Sequence, residues 1–156
     1  MKKNFALILS FVLLAFTACN SDDDQHSDVA VAFAEASYNL TNDATPVQIK
    51  FSKAAPAAGT ITLDITETAV AYNTDYTTSP AGASKKVVVP FAQGATSVEF
   101  TFNKIKNATG TEVKNVVFTI SGTSLGAQIS GNKTIQLNFN EAASLGTALA
   151  AEVGGP

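Results

Sequence analysis

The chain lacks several residues on which particular functions depend: arginine and tryptophan are absent, and there is one histidine and one cysteine. Without arginine it has no side chain that grips phosphate through two parallel hydrogen bonds. The net charge of −3 becomes about −5 if Lys2 and Lys3 leave with a leader. We therefore predict no nucleic-acid partner and no phosphoryl substrate.

Residues for catalysis are also scarce. Cys19 and His26 both precede the patterned part of the chain, so a serine or cysteine nucleophile has no base, and no zinc-ligand spacing occurs. Asp64, Glu67 and Glu99 fall on the polar faces or ends of predicted strands, where charged side chains are ordinarily solvated. We predict no enzyme activity and no cofactor.

The N-terminus has the pattern of a secretory leader. A short positive segment precedes the apolar run from Phe5 to Phe16, which only Ser10 interrupts. A membrane-spanning helix needs about 20 apolar residues, and this run is shorter. Residues 1–18 are therefore predicted to be a signal peptide that is cleaved after Ala18.

The end of the leader, Phe16-Thr17-Ala18-Cys19, resembles the lipobox of bacterial lipoproteins, although leucine is usual where Phe16 stands. The resemblance implies that Cys19 becomes the first mature residue and carries a diacylglyceryl thioether and an amide-linked acyl chain. Each buried methylene contributes about 0.8 kcal/mol, so several chains give durable attachment to a lipid bilayer.

The stretch after Cys19 is polar and acidic. Ser21, Asp22, Asp23 and Asp24 resemble the export signal that directs lipoproteins of the Bacteroidetes to the outer face of the outer membrane. That resemblance implies a surface location in a diderm bacterium. The alternative is that residues 19–28 form only a solvated tether, because acidic, polar sequences have nothing to bury and repel themselves into extended chains.

From Val29 onward apolar residues alternate with polar ones, which is typical of strands with one buried face. The alternating positions are Val47, Ile49, Phe51, Ile61, Leu63, Ile65, Val87, Val89, Phe91, Val98, Phe100, Phe102, Phe118, Ile120, Ile135, Leu137 and Phe139. Turn-forming residues separate these segments. We predict an all-β fold over 29–141: an antiparallel, Greek-key, immunoglobulin-like sandwich of about seven strands. A signal-peptide helix and a disordered tether precede it, and an Ala/Gly-rich tail follows over 142–156.

The segment Thr68-Ala69-Val70-Ala71-Tyr72-Asn73-Thr74-Asp75-Tyr76 resembles the Ala-x-x-Gly-x-Asp-Tyr motif of Calx-β domains, with Asn73 where glycine is common. Asparagine suits that position because it tolerates the left-handed backbone conformation. The likeness continues through Val87 to Gly94 and Val117 to Ser121, and it spans roughly residues 30–140. It implies an immunoglobulin-like sandwich.

Calcium binding is the best-known activity of Calx-β domains, but this sequence departs from their acidic pattern. Asn103-Lys104-Ile105-Lys106-Asn107 stands where carboxylates would be expected, and Asn138-Phe139-Asn140-Glu141 replaces a C-terminal acidic pair. Calcium needs six to eight oxygen ligands, several of them charged. Glu35, Asp75 and Glu112 are the remaining candidates for a weak site. The alternative for Asp75 is a turn residue that accepts backbone hydrogen bonds.

Tyr72, Asn73, Asp75 and Tyr76 form a candidate ligand platform, because sugar rings stack on exposed tyrosines. The alternative for Tyr76 is a half-buried ring with a locally bonded hydroxyl group. Three functional hypotheses follow. The first is a non-catalytic surface lipoprotein, adhesive or structural, with a glycan or protein ligand. The second is a glycan-binding accessory lipoprotein of a polysaccharide-uptake system, and the third is a calcium-binding module.

Overall fold

The computed structural model describes residues 28–105 and 112–139. The predicted leader, Cys19, the export signal Ser21 to Asp24, His26 and the C-terminal tail lie outside the described residues. Ten strands follow one another along the described chain: β1 Ala30–Phe33, β2 Ser37–Asn39, β3 Ala44–Phe51, β4 Gly59–Thr68, β5 Tyr76–Ser79, β6 Lys86–Phe91, β7 Ser97–Lys104, β8 Asn115–Thr123, β9 Gln128–Ile129 and β10 Thr134–Asn138.

These strands form two five-stranded sheets, ordered β5-β7-β3-β1-β9 and β2-β10-β8-β4-β6, which face each other as a sandwich. The predicted fold class is confirmed. Side chains alternate between the core and solvent along each long strand, as in Ile61, Leu63 and Ile65 of β4, all of which are buried. Of the predicted core positions, Val98 alone is partly rather than fully buried.

Two details of the prediction are wrong. The described residues form ten strands rather than about seven, because β2, β5 and β9 are edge strands of two to four residues, too short to show an alternating pattern. The sandwich is also not wholly antiparallel, since β1 pairs in parallel with β9 and β2 pairs in parallel with β10. The parallel pairs arise because the chain crosses from one sheet to the other between β1 and β2.

Aromatic rings fill the part of the core between β5, β7, β8 and the end of β10. Tyr76 stacks on Phe102 with ring centroids 4.8 Å apart, and Phe102 meets Phe118 and Phe139 edge-on at 6.2 and 5.7 Å. Phe100 contacts Phe118 at 4.9 Å. Full burial of one such side chain contributes about 1.5–3 kcal/mol, so this cluster is a large part of the apolar burial that stabilises a domain without disulfides.

The chain enters the sandwich at the end that we call the base. Ala30 donates its backbone N–H to Ser52 Oγ, and Ser52 donates its own to the Ala30 carbonyl, both at 2.8 Å. Asp28 lies 3.8 Å from Lys53 at the same end. The turn at Gly94 belongs to the base as well, because its N–H bonds to the carbonyl of Ala55. The start of β1 is thus held at the base by the two hydrogen bonds to Ser52, next to the ion contact between Asp28 and Lys53.

The opposite end is called the top. There β4 ends at Thr68, opposite Asn115, and β5 begins at Tyr76, opposite Lys104 at the end of β7. Because a strand rises about 3.3 Å per residue, the ten residues of β4 separate base and top by roughly 30 Å. The described chain therefore starts at one end of the sandwich, while the loops after β4 lie at the other.

Candidate functional site

A cleft of about 350 Å³ opens near the top of the sandwich, because β6 is shorter than β4 and does not extend beside the last residues of β4. The pairing of β6 with β4 begins at Lys86 and Asp64, and beyond the hydrogen bond from the Ile65 N–H to the Lys85 carbonyl the last residues of β4 have no paired strand on that side among the described residues. Two loops border the gap instead. The lining residues are Ile65, Glu67, Ala71, Tyr72, Asn73, Gly82, Ala83, Ser84 and Lys85.

Glu67 is the central polar group of this cleft, and its side chain is only 14% exposed. Its Oε1 accepts two hydrogen bonds of 2.8 Å, one from the Tyr76 hydroxyl and one from the backbone N–H of Tyr72. Its Oε2 lies 3.6 Å from Lys85 Nζ. The carboxylate therefore holds together the end of β4, the following loop, the start of β5 and the turn before β6.

The expectation that Glu67 is simply solvated is wrong. Glu67 follows Ile61, Leu63 and Ile65 at the same two-residue interval, so it continues the inward-facing side of β4 beyond the apolar core. That interval is the sequence signal that would have identified it. Asp64 and Glu99, by contrast, do lie on outer faces: Asp64 pairs with Lys86 and Ser121, and Glu99 accepts a bond from Gln48. The bonds from Lys86 and Ser121 hold the pKa of Asp64 below its ordinary value.

Tyr76 cannot form a ligand platform, which corrects that part of the prediction. Its ring is fully buried, stacked on Phe102 and contacted edge-on by Tyr72. Burial raises the pKa of Tyr76 well above its ordinary value, and the hydrogen bond to Glu67 raises it further. The hydroxyl is satisfied locally, as the alternative interpretation expected, but the ring is buried more completely than expected. The ring is buried because Tyr76 is the first residue of β5 and its side chain faces the aromatic cluster.

Tyr72 lines the cleft and is partly buried, so one aromatic side chain of the predicted platform does reach it. Its hydroxyl oxygen accepts the backbone N–H of Gly82 at 2.6 Å and that of Thr78 at 3.3 Å, and it contacts Thr78 Oγ1 at 3.1 Å. Burial by itself raises the pKa of Tyr72, but these three bonds outweigh it and leave the pKa below its ordinary value. A Cβ added at Gly82 would lie 3.3 Å from the Tyr72 ring, so glycine permits this close approach.

The loop that carries Tyr72 is closed by Asp75. Its Oδ2 accepts the backbone N–H of Ala71 at 2.8 Å, while its own N–H bonds to the Ala71 carbonyl at 2.9 Å. This confirms the interpretation of Asp75 as a turn residue. Asn73 has a φ of 65°, which also confirms the reason given for asparagine at a position where glycine is common. The side chain of Asp75 is thus engaged in shaping the loop.

The turn between Ala83 and Lys86 borders the cleft on its other side. Ala83 and Lys86 exchange both backbone hydrogen bonds, at 2.8 and 2.9 Å, around a two-residue loop. Its central residues, Ser84 and Lys85, both have positive φ, 51° and 60°. Turns of this kind favour Asn-Gly or Gly-Gly, so serine and lysine are held there in an unfavourable backbone conformation.

The three calcium candidates do not come together. Glu35 lies halfway along the side of the sandwich, where the neighbouring Ala34 bonds to Gln48, and it is separated from the top by the length of β2. Asp75 and Glu112 lie in different loops of the top, and Glu112 is exposed. Within residues 28–105 and 112–139, no group of three or more His, Cys, Asp or Glu side chains is placed to hold one metal ion.

In the described part of the chain, no helix is long and apolar enough to span a membrane.

Comparison with known proteins shows which solved structures share this fold. Neither protein-family models nor curated proteins match this chain. Solved structures do: the apo form of the Calx CBD1 domain aligns with 70% of this chain and 95% of its own length, with 12% identity and a TM-score of 0.54. CBD12 of CALX1.2 aligns with a TM-score of 0.56 and 12% identity, and the calcium-binding domain CBD12 of CALX1.1 with 0.53 and 13%.

Each of the two CBD12 alignments covers about 70% of this chain, which spans less than half of the CBD12 chains. At these identities the similarity establishes a Calx-β-like fold and nothing further.

Proposed function

We propose that this chain is a non-catalytic binding module, adhesive or structural, that is anchored through lipids on Cys19 to the outer membrane of a diderm bacterium of the Bacteroidetes type. The observation that carries the proposal is the placement of the cleft. The described chain begins at Asp28 at the base of the sandwich, and the cleft lies toward the top, where Ile65 and Glu67 are roughly 20–26 Å along β4 from its start at Gly59. A domain held by its N-terminus would present the cleft away from the membrane.

The segment between Cys19 and Asp28 suits this role. An extended chain spans at most about 3.3–3.6 Å per residue, so these nine steps reach roughly 30 Å. Asp22, Asp23 and Asp24 make this segment hydrophilic, as a spacer between the sandwich and the lipid surface would need to be. Loops at the free end of a β-sandwich are where such folds ordinarily carry recognition. The cleft at the top is therefore the surface that we assign to ligand binding.

The anchor is tested by changing Cys19→Ser in the full chain and separating cells into membrane and soluble fractions. We expect nearly all of the wild-type protein in the membrane fraction and nearly all of the variant in the soluble fraction, because no acyl chain can be attached to serine through a thioether. Ser27→Ala is the matched control and stays in the membrane fraction. Mass spectrometry of a mature wild-type N-terminus with a free thiol would contradict the proposal.

The surface address is tested by changing Asp22, Asp23 and Asp24 together to alanine and adding protease to whole cells. We expect digestion of the wild-type protein and protection of the variant, because the variant would stay on the inner face of the membrane. Asp28→Ala, outside the motif, serves as the control and remains digested. If the triple variant is digested as fast as the wild type, the acidic residues act only as a tether.

A further inference from the structure

The two charged groups of the cleft retain capacity for a ligand. Glu67 Oε1 already accepts two hydrogen bonds, but Oε2 lies 3.6 Å from Lys85 Nζ, beyond ordinary hydrogen-bond length. The Lys85 side chain is 73% exposed. The wall of the cleft therefore carries a hydrogen-bond acceptor, Glu67 Oε2, next to a cationic donor, Lys85 Nζ.

The backbone conformation at Lys85 is one that favours glycine, so the turn itself does not require lysine at this position. A left-handed conformation is disfavoured for any residue with a Cβ, and glycine at this position of a two-residue hairpin would remove that cost. Lysine instead places its Nζ opposite Glu67. Unfavourable backbone conformations of this kind cluster at functional sites, where surrounding contacts maintain them.

The charge of the pair constrains the ligand. An anion would meet Lys85 but would be repelled by the adjacent Glu67, and a cation would meet Glu67 but would compete with Lys85. A neutral molecule with adjacent hydroxyl groups avoids both penalties, because one hydroxyl donates to the carboxylate and its neighbour accepts from the ammonium group. The pair is therefore complementary to a diol.

Size and lining fit the same class. A volume of about 350 Å³ lies near the lower limit of the roughly 300–1,000 Å³ typical of ligand sites. Tyr72, Ile65 and Ala83 supply apolar surface beside the charged pair. A sugar ring has this combination, with hydroxyl groups at its rim and C–H groups on its faces. The cleft offers room for one or two such rings rather than for a long chain.

We propose that the cleft binds a neutral saccharide unit, with Glu67 accepting a hydrogen bond from one ring hydroxyl and Lys85 donating one to its neighbour. The proposal rests on the assignment of this chain as a binding module, and it names the ligand class of that module. It replaces the platform of two tyrosines, since Tyr76 is buried.

The test uses the full chain in a polyoxyethylene detergent, which contains no sugar, with an array of immobilised neutral glycans. The neutral sugars that bind are then measured by titration calorimetry. Sodium glucuronate, inorganic phosphate, spermidine and calcium chloride serve as charged probes. We expect binding of at least one neutral glycan, and a dissociation constant raised about tenfold or more by Lys85→Gly and by Glu67→Gln.

Lys85→Gly also separates binding from folding. The 3.6 Å contact between Glu67 and the largely exposed Lys85 contributes little to stability, and glycine relieves a left-handed residue. We therefore expect a melting temperature no lower than that of the wild type, while saccharide binding is weakened. Ala69→Gly is the matched control. Ala69 has a φ of 53° but does not line the cleft, so that variant keeps full binding.

The ligand class is overturned if no neutral glycan binds, or if only a charged probe binds, and the site is overturned if Lys85→Gly binds as the wild type does. A wild-type protein found in the soluble fraction, or one that protease added to whole cells does not digest, would contradict the proposed function instead, without affecting these binding measurements.

Discussion

Replacing Tyr76 with alanine is expected to lower the free energy of unfolding by about 3–5 kcal/mol, the largest effect of any single change considered for this protein. The ring is fully buried between Phe102, Phe139 and Tyr72, at centroid distances of 4.8, 6.4 and 5.2 Å. Its removal would leave a cavity that sheets on both sides cannot close. It would also remove one of the two donors to Glu67.

Urea unfolding followed by circular dichroism measures this effect, with the slope of the transition checked for two-state behaviour. Tyr76→Phe keeps the ring and removes only the hydroxyl, so its expected cost is about 1–2 kcal/mol. Val113→Ala, at a residue that is 73% exposed, controls for a surface change and should stay within about 0.5 kcal/mol of the wild type. A cost below about 1 kcal/mol for Tyr76→Ala would show that the ring is not a core residue.

The second large effect is expected for Glu67→Ala, at about 2–3 kcal/mol. This change leaves the Tyr76 hydroxyl and the Tyr72 backbone N–H, both part-buried, without the acceptor that they share. A buried donor without a partner costs about 1–3 kcal/mol, and the loss of the carboxylate also removes the contact to Lys85. The loops that border the cleft would therefore loosen together.

Thermal and urea unfolding of Glu67→Ala are compared with those of Glu99→Ala, a matched control. Glu99 lies on the outer face of β7 and accepts one long bond of 3.4 Å from Gln48, so its removal should cost less than about 0.5 kcal/mol. Glu67→Gln retains an oxygen acceptor and should lie between the two. Equal stabilities for Glu67→Ala and Glu99→Ala would mean that the carboxylate does not hold the top of the sandwich together.

The fold was predictable from the sequence because strand periodicity is a local property. Over most of the length of β3, β4, β6 and β7 every second residue is apolar, and these apolar residues face the core as the alternation requires. The role of Asn73 was predictable for a similar reason, since tolerance of positive φ belongs to the residue itself. The bond from Asp75 to its own turn is local as well.

The short edge strands were not predictable in this way. The two residues of β9 and the three of β2 are strands only because a neighbouring strand supplies their hydrogen bonds. Their parallel pairing depends on the chain changing sheets after β1, and no pattern within four residues specifies that. The difference between Tyr72, which reaches the cleft, and Tyr76, which is buried, likewise depends on where β5 joins its sheet.

The sequence by itself determined an all-β sandwich, its core residues and the local turn geometry, and it carries the predictions of a leader, a lipid anchor at Cys19 and a surface address. Only the tertiary structure decided that Glu67 bonds to the buried Tyr76, nine residues away, and faces Lys85, eighteen residues away, across a cleft near the end opposite Asp28. The physical reason is that backbone conformation and burial patterns act between near neighbours in the chain. The site is formed by loops from different strands, and packing of the two sheets sets their relative positions.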